Sequence, residues 1–304
     1  MSSEVCFIER KFPSANMVIV GGAKPVLIDT GFIADLALTE PLIQAAGYDP
    51  AALQLIINTH YHSDHVGANA SLQNKYGIAI AAHRWEAGLI NHNHPEAYCA
   101  RWLDRHVEPY KVNCLLSDGD EIATGAEVIK VMHTPSHTSG HLSLFLPQSQ
   151  ALVCGDLLST NDVGWFNIFR EGVASIEAAK DSLDKVARLP LKRIYPGHGP
   201  AIADPPAAID QAEARVAGFL RDPEQAAWHA CKRIFATTLM IKDGLPEGEV
   251  AGYLLQCPWF NDFSTHIFKV QPGDFVRPLL QEMLRSRAAH LLNNRLMPGA
   301  PERP

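Results

Sequence analysis

The sequence predicts an α/β fold that is followed by a mainly helical C-terminal region. Short apolar runs rich in branched side chains alternate with helix-spaced stretches over the first two-thirds of the chain. Four of the predicted strands run directly into turns that carry histidine or aspartate. Beyond residue 200 long stretches with helical spacing prevail. Because loops at strand ends commonly carry binding or catalytic groups, these four strand ends are the candidate functional region.

The composition is that of a soluble globular protein, with 304 residues, 47% of them hydrophobic and 19% charged. The formal net charge of -7 gives no overall basic field that would attract nucleic acid. The six cysteines form no C-x-x-C pair, which predicts reduced thiols. No apolar stretch approaches the ~18 residues of a membrane span, and the N-terminus shows no signal-peptide pattern. We therefore expect a cytoplasmic protein without a membrane partner.

The predicted strands are short, apolar and bounded by turn residues, and they lie at 5–8, 17–20, 25–28, 53–57, 78–81, 127–132, 141–146, 151–154 and 192–195. Helical spacing predicts helices at 33–46, 64–76, 173–189, 207–220, 223–240, 247–255 and 276–292. Gly47 and Gly77 are expected to end the first two of these helices. The less regular stretch 83–114 predicts one or two helices that cross the mouth of the site. This order indicates one α/β domain over residues 1–203 and a helical extension over 204–304.

Residues 59–65, Thr-His-Tyr-His-Ser-Asp-His, form the most informative segment, directly after a predicted buried strand. Imidazole and carboxylate are ligands that zinc prefers. His60 and His62 are two residues apart, so both rings can project to one side of an extended loop. Asp64 and His65 then turn away, which suggests a second metal ion beside the first. The alternative is a surface loop that is rich in histidine by chance.

Further histidines and aspartates follow other predicted strands. His137 and His141 lie in the segment Thr-Pro-Ser-His-Thr-Ser-Gly-His, Asp156 follows the strand at 151–154, and His198 lies in Pro-Gly-His-Gly-Pro. Asp29 ends the third strand and either orients a metal ligand or caps the following turn. His141 either orients a metal ligand or is a hydrogen-bonded histidine of the core.

These segments, in this order, resemble the ligand segments of the metallo-β-lactamase-fold hydrolase superfamily. The resemblance covers about the first two-thirds of the chain and implies a four-layer αββα sandwich with metal ions at the sheet edges. It implies a first metal site and a second one, with ligands His60, His62 and His137 for the first, Asp64, His65 and His198 for the second, and Asp156 bridging both. Ser136 stands where the family usually has glycine, which alters the local backbone but removes no ligand.

The implied activity is that of a binuclear metal-dependent hydrolase. A metal-bridging hydroxide would attack the carbonyl carbon of an acyl ester, thioester or lactone, and Asp64 would orient this nucleophile. Zinc is the expected metal, and the same ligands also suit manganese, iron or cobalt. The expected partner is a small acyl substrate, and the acidic net charge argues against nucleic acid.

The metal ligands alone do not separate the branches of this superfamily. Glyoxalase II, lactonases, thioesterases and lactamase-like ribonucleases share them, whereas the β-lactamases with a cysteine ligand would place a thiolate at Asp156. Ser159 replaces a tyrosine that many of the lactonases carry. The alternatives are a lactamase-like ribonuclease or phosphodiesterase, a β-lactamase, and a non-catalytic regulatory member of the fold.

Two regions outside the ligand segments bear on this choice. Five aromatic residues are candidates for the wall of an apolar acyl pocket, and they are Tyr98, Trp102, Trp165, Phe166 and Phe169. The alternative is that these rings pack the C-terminal helices onto the core. The extension itself resembles a winged-helix tail, with a small hairpin wing at 293–297, and a homodimer built through it is a further expectation.

Overall fold

Two mixed β-sheets form the centre of the protein in the computed structural model, which describes residues 5–299. The first sheet contains, in order across the sheet, β1 (Val5–Ile8), β2 (Met17–Val20), β3 (Val26–Ile28), β4 (Leu55–Ile57), β5 (Ala79–His83) and β6 (Cys114–Leu116). The second contains, in the order β11-β10-β9-β8-β7, the strands β7 (Glu121–Ala123), β8 (Val128–His133), β9 (Leu142–Leu146), β10 (Ala151–Gly155) and β11 (Arg193–Pro196). Strands β3 to β6 are parallel, as are β10 and β11, and the other pairs are antiparallel.

The sheets pack face to face because side chains alternate along each strand. Val18 and Val20 of β2 belong to one buried cluster with Val131 and Leu144 of the second sheet. Ile19, between the two valines, belongs instead to the cluster that contains the helices. Period-two alternation thus gives each sheet one face toward the other sheet and one toward helices.

Helices cover the outer faces of both sheets. In chain order they are α1 (Leu36–Ala45), α2 (Asn69–Tyr76), α3 (Arg84–Asn91), α4 (Ala100–Leu103) and α5 (Ala174–Ala187). Ile43, Leu72 and Ile90 bury the first three against the outer face of the first sheet, and Leu183 belongs to the same apolar cluster on α5. The result is an α/β sandwich with the layer order αββα. No helix within residues 5–299 is long and apolar enough to cross a membrane.

The C-terminal region contains α6 (Pro205–Arg221), α7 (Pro223–Ile241), β12 (Leu245–Pro246), α8 (Glu247–Gln256), α9 (Pro258–Asp262), a π-helix (Phe263–Ile267), α10 (Pro272–Arg285), β13 (Ala289–Leu292) and β14 (Arg295–Pro298). The last two strands form a hairpin, and β12 pairs with β14. Asn293 and Asn294 make its two-residue turn with φ values of 50° and 60°. Such turns require left-handed backbone, which asparagine tolerates. One apolar cluster runs from the sandwich into these helices, so the boundary after residue 203 and the winged-helix likeness stay predictions.

Several predicted elements differ from the structure. The helix predicted at 64–76 begins only at Asn69, because residues 63–68 form turns. The helix predicted at 276–292 begins at Pro272 and ends at Arg285, and its last residues belong to β13. Strands β6, β7 and β12 were not predicted. They are two or three residues long, which is too short for a periodic signal.

Candidate metal centre

The strand ends singled out by the sequence meet at one edge of the sandwich. Strands β3 and β4 are parallel, so their carboxyl ends lie together. Strand β9 is antiparallel to both β8 and β10, so these two run in one direction, as does β11. The loops that follow β3, β4, β8, β10 and β11 therefore meet at one place, as is usual for functional loops.

A first group of candidate ligands consists of His60, His62 and His137, which offer nitrogen atoms within 4.8 Å of one another. His62 Nδ1 lies 2.8 Å from His137 Nε2. Burial, together with the neighbouring imidazoles, holds the pKa values of His60 and His62 well below the usual value. Burial also lowers the pKa of His137. The three rings are therefore neutral and have lone pairs available for a cation.

A second group consists of Asp64, His65 and His198, which also offer ligand atoms within 4.8 Å of one another. His198 Nε2 lies 3.2 Å from Asp64 Oδ2. Burial raises the pKa of Asp64, but the hydrogen bond to His198 and the charge of His65 outweigh it and lower this pKa. The side chains of Asp64 and His198 are 21% and 18% exposed, so this group lies nearer the solvent than the first.

Asp156 lies between the two groups. Its Oδ1 is 3.4 Å from His65 Nε2 and 3.7 Å from His198 Nε2, both in the second group. Its Oδ2 is 3.6 Å from His137 Nε2, in the first group. Burial opposes ionisation of Asp156, but His198 and His65 together hold its pKa well below the usual value. One ionised carboxylate thus presents one oxygen to each group.

The residues present fit a pair of divalent metal ions. His60 Nε2 and His65 Nε2 are buried and have no hydrogen-bond partner among residues 5–299. Buried polar atoms are rarely left without a partner, and a metal ion would supply one here. Gly197 also packs so closely that a methyl group there would overlap Asp156 Oδ1. The imidazole and carboxylate set is one that zinc, manganese, iron and cobalt accept.

Asp29 contacts His65 within this centre. Asp29 Oδ2 lies 2.7 Å from His65 Nδ1, and its Oδ1 accepts a hydrogen bond of 2.8 Å from the Thr59 N–H. The hydroxyl of Thr59 donates to Oδ2 at 2.7 Å. Nδ1 of His65 is therefore the donor to Asp29, and Nε2 is directed toward Asp156. Carboxylates commonly orient a metal-binding histidine in this way, so the geometry supports the orienting role of Asp29.

The His141 ring contacts the main chain of Asp156. The Asp156 N–H donates to His141 Nε2 at 3.1 Å, and His141 Nδ1 lies 3.1 Å from the Thr134 carbonyl oxygen. Nε2 therefore carries no proton, and Nδ1–H donates to Thr134. Burial lowers the pKa of His141 to about 3, which keeps the ring neutral. The ring is placed to hold Asp156 rather than to bind a metal ion itself.

The five aromatic candidates separate into different environments. The Trp165 ring stacks on His62 with centroids 5.5 Å apart, and its carbonyl accepts a 2.6 Å hydrogen bond from His137 Nδ1–H. Trp102 stacks on Trp165 at 6.3 Å and on Phe169 at 6.4 Å. These three rings form a continuous aromatic wall beside the first group.

The other two aromatic candidates lie apart from this wall. Tyr98 packs on Tyr61 and Tyr110, with ring centroids 6.4 and 5.7 Å away. Phe166 is buried against Phe219 of α6, with ring centroids 6.0 Å apart. Phe166 is thus a core residue that packs a C-terminal helix, so its prediction as a pocket residue was wrong.

A cleft of about 570 Å³ opens beside this wall, between the α3–α4 region and α8. Its lining residues include Glu96, Arg101, Trp102, Arg170 and Tyr253. Arg170 lies over the Trp102 ring, with its guanidinium carbon 5.3 Å from the ring centroid. The cleft is thus lined by both aromatic and charged side chains.

Sequence reasoning missed Asn16, which holds the turn that carries His198. Its side-chain NH₂ donates to the carbonyl oxygens of Pro196 at 2.9 Å and of Gly199 at 2.8 Å. Its main-chain N–H donates to the Gly197 carbonyl at 2.7 Å. The segment Pro-Ser-Ala-Asn indicated only a turn, and its partners lie 180 residues away in the chain.

Comparison with known proteins decides the family. Residues 10–198 match the family model of the Metallo-beta-lactamase superfamily, which is more than half of the chain. The protein belongs to this superfamily. The match begins before β2 and ends on His198, so it includes every proposed metal ligand.

Curated relatives include the Beta-lactamase-like protein 2 homolog of Caenorhabditis elegans, which is 31% identical over 191 residues, or 62% of this chain and 56% of that protein. The Hydroxyacylglutathione hydrolase of Rhodospirillum rubrum is 32% identical over 167 residues, or 55% of this chain and 56% of that protein. The chain thus spans about half the length of the curated relatives it matches.

Solved structures share the fold at lower identity. A metallo-beta-lactamase from Cronobacter sakazakii matches with a TM-score of 0.62 and 18% identity, covering 73% of this chain and 95% of that chain. A metallo-beta-lactamase family protein from Thermus thermophilus has a TM-score of 0.57 and 20% identity, and the match covers 97% of this chain and 98% of that chain. The second likeness extends over the C-terminal helices as well as the sandwich.

Proposed function

We propose that the protein is a binuclear metal-dependent hydrolase that cleaves acyl esters, thioesters or lactones. The observation that carries this proposal is the orientation of Asp156, with one carboxylate oxygen toward each ligand group. The proposed ligands are His60, His62 and His137 in the first group and Asp64, His65 and His198 in the second. Two bound divalent ions, with zinc as the proposed metal, would supply hydroxide at neutral pH and polarise the carbonyl to be attacked.

The protein's own residues have separate tasks in this reaction. Asp64 is ionised and partly exposed, so it is placed to orient the attacking water. Asp29 holds the His65 ring through its Nδ1, and the Asp156 main chain is held by its hydrogen bond to His141. Trp165 shields one side of the centre from solvent because its ring covers His62.

An acyl substrate suits the surroundings of the centre. The stacked rings of Trp165, Trp102 and Phe169 place apolar side chains next to His62. Several curated relatives are named hydroxyacylglutathione hydrolase, and hydroxyacylglutathione is a thioester of glutathione. Both observations support a thioester or ester over a polyanionic substrate.

The test is a hydrolysis assay of the zinc-loaded protein with acyl thioesters, aryl esters, acyl-homoserine lactones, a β-lactam and single-stranded RNA. A His62→Ala variant should lose the activity. A matched His106→Ala control should keep it, because His106 is exposed and hydrogen-bonds only Glu108 among the described residues. Cleavage of acyl substrates that depends on His62 supports the proposal. Cleavage of RNA alone, or activity that survives His62→Ala, contradicts it.

A ribonuclease remains the second candidate because of the C-terminal region. Helices α7, α8 and α10 with the β13–β14 hairpin have the element order of a winged helix, a fold that often binds nucleic acid. Arg277, Arg287 and His290 are exposed on α10, on the turn after it and on β13. RNA binding whose affinity falls steeply with salt, together with RNA cleavage, would favour this candidate.

Two expectations about the cell and the assembly belong to the same proposal. A cytoplasmic location stays a prediction, and fractionation of cells that express the protein would test it. A homodimer through the C-terminal helices stays a prediction, and analytical ultracentrifugation would test it.

A further inference from the structure

Three side chains of the C-terminal helices converge on one carboxylate in the loop that follows Asp156. Arg215 Nε of α6 lies 2.6 Å from Asp162 Oδ1, and His229 Nε2 of α7 lies 3.1 Å from Oδ2. Arg233 of α7 also pairs with Oδ2. The Asp162 side chain is only 16% exposed. We call these four residues the Asp162 cluster.

The loop leads from the Asp162 cluster directly to two proposed ligands. The Val163 N–H donates to Asp162 Oδ1 at 2.9 Å, so the carboxylate also fixes its own turn. The Gly164 N–H donates to the Asp156 carbonyl oxygen at 3.0 Å. The Trp165 carbonyl then accepts the 2.6 Å hydrogen bond from His137 Nδ1–H. Three consecutive residues thus connect the C-terminal helices to Asp156 and His137.

Close packing leaves this loop little freedom. A methyl group at Gly164 would overlap the Asp156 carbonyl oxygen and approach the His137 ring within 2.9 Å. The Trp165 ring is held between His62 and Trp102. A displacement of the loop at Asp162 would therefore move the carbonyl that orients His137.

We infer that Asp162 is a positioning residue for the first metal group, through which α6 and α7 hold the Trp165 carbonyl against His137. The inference rests on the ligand set proposed above. A hydrogen-bond acceptor behind a metal-binding histidine fixes the direction of its other nitrogen, and loss of such partners weakens metal binding by about 10- to 100-fold. Asp162 acts one step further out, so we expect zinc affinity to fall by about 10-fold.

A second ion pair in the same region serves as a matched control. Lys232 Nζ of α7 lies 2.9 Å from Glu282 Oε1 of α10, and the Glu282 side chain is 15% exposed. Glu282 also pairs with Arg285. The Glu282 side chain is thus about as enclosed as that of Asp162 and pairs with two cationic side chains where Asp162 pairs with two arginines and His229. Glu282 joins α7 to α10, and none of its ion pairs among the described residues involves the loop that follows Asp156.

The experiment compares the full-length wild type with Asp162→Asn, Asp162→Ala and Glu282→Gln. Zinc affinity is measured by competition with a chromophoric chelator and fitted to two sites. The Co²⁺-substituted proteins give absorption spectra that report the ligand geometry. The melting temperature of each metal-free protein measures structural damage. We expect both Asp162 variants to bind one of the two zinc ions about 10-fold more weakly, with an altered Co²⁺ spectrum, and Glu282→Gln to keep both properties.

A double variant, Arg215→Gln with Arg233→Gln, keeps the test decisive if Asp162 variants fold poorly. These arginine side chains are 41% and 48% exposed, so their replacement is tolerated more easily. If the variants of the Asp162 cluster melt at lower temperature but keep the zinc affinity and the Co²⁺ spectrum of the wild type, Asp162 only docks the helices. That result would overturn the positioning role of Asp162 and leave the proposed function standing. A wild-type protein that binds no metal would overturn the proposed function together with this positioning role.

Discussion

Replacement of Asp29 by asparagine tests whether the position of the His65 ring proton controls metal binding. Asparagine keeps the shape of Asp29 and tolerates its left-handed backbone, with φ 55°. The amide oxygen is expected to keep accepting from the Thr59 N–H, which leaves the NH₂ group against His65 Nδ1. A metal ion binds the neutral His65 ring, which carries a single proton. Because NH₂ donates, Nδ1 of that neutral ring must accept and its proton moves to Nε2. Nε2 is the atom that faces Asp156, so the lone pair available to a metal ion is lost.

The magnitude follows from the role of Asp29 behind a ligand. Loss of such a partner weakens metal binding by about 10- to 100-fold, and at about 1.4 kcal/mol per tenfold this is about 1.4 to 2.8 kcal/mol. The effect should fall on the second group, because Asp29 contacts His65 and none of the three first-group histidines. Purified Asp29→Asn protein is therefore expected to retain about one zinc ion where the wild type holds two.

The assay is the zinc content after gel filtration, together with chelator competition and the rate of thioester hydrolysis. Glu127→Gln is the matched control. Glu127 is 2% exposed, as Asp29 is, and it accepts hydrogen bonds from Gln148 and Ser149 at the opposite end of β8. Two zinc ions bound with wild-type affinity in Asp29→Asn, or equal losses in Asp29→Asn and Glu127→Gln, would refute the reasoning.

Three further predictions concern residues around the centre. Asn16→Asp should lower the free energy of unfolding by about 2 kcal/mol in calorimetry, because a carboxylate would face two carbonyl oxygens. The same change should lower the affinity of the second group for its metal ion. Gly197→Ala should lose about one zinc equivalent by elemental analysis, because its methyl group would displace Asp156. In metal-free protein, the difference in melting temperature between wild type and Asp162→Asn should be full at pH 7 and shrink below about pH 4. Burial raises the pKa of Asp162, but His229 and the two arginines outweigh it and depress this pKa, so its stabilisation is lost as pH falls through the acid range.

Each of these predictions has a clear contrary result. Wild-type stability of Asn16→Asp would show that the amide does not hold the His198 turn. Two zinc equivalents in Gly197→Ala would show that the close approach to Asp156 is not required. A difference in melting temperature that is independent of pH would show that the charge of Asp162 does not stabilise the fold.

Local sequence pattern alone predicted most of the strands and the ends of two helices. Strands β2 and β9 are short apolar runs between turn residues, and the structure places them within a residue of the predicted bounds. Gly47 and Gly77 end their helices with φ values of 88° and 70°, a conformation that glycine adopts without strain. The helix predicted at 276–292 failed because β13 has helix-compatible residues, and only its partner β14 makes it a strand.

The sequence by itself determined the fold class, the strand ends that carry the histidines, and the order of the ligand segments. These depend on periodicity and on residue type within a few positions. The tertiary structure alone decided which oxygen of Asp156 faces which group, that Phe166 lies in the core, and which distant groups Asn16 and Asp162 contact. Asn16 reaches a carbonyl 180 residues away, and Asp162 meets side chains more than 50 residues further along the chain. Such pairings depend on how the layers pack, and no local pattern in the sequence encodes them.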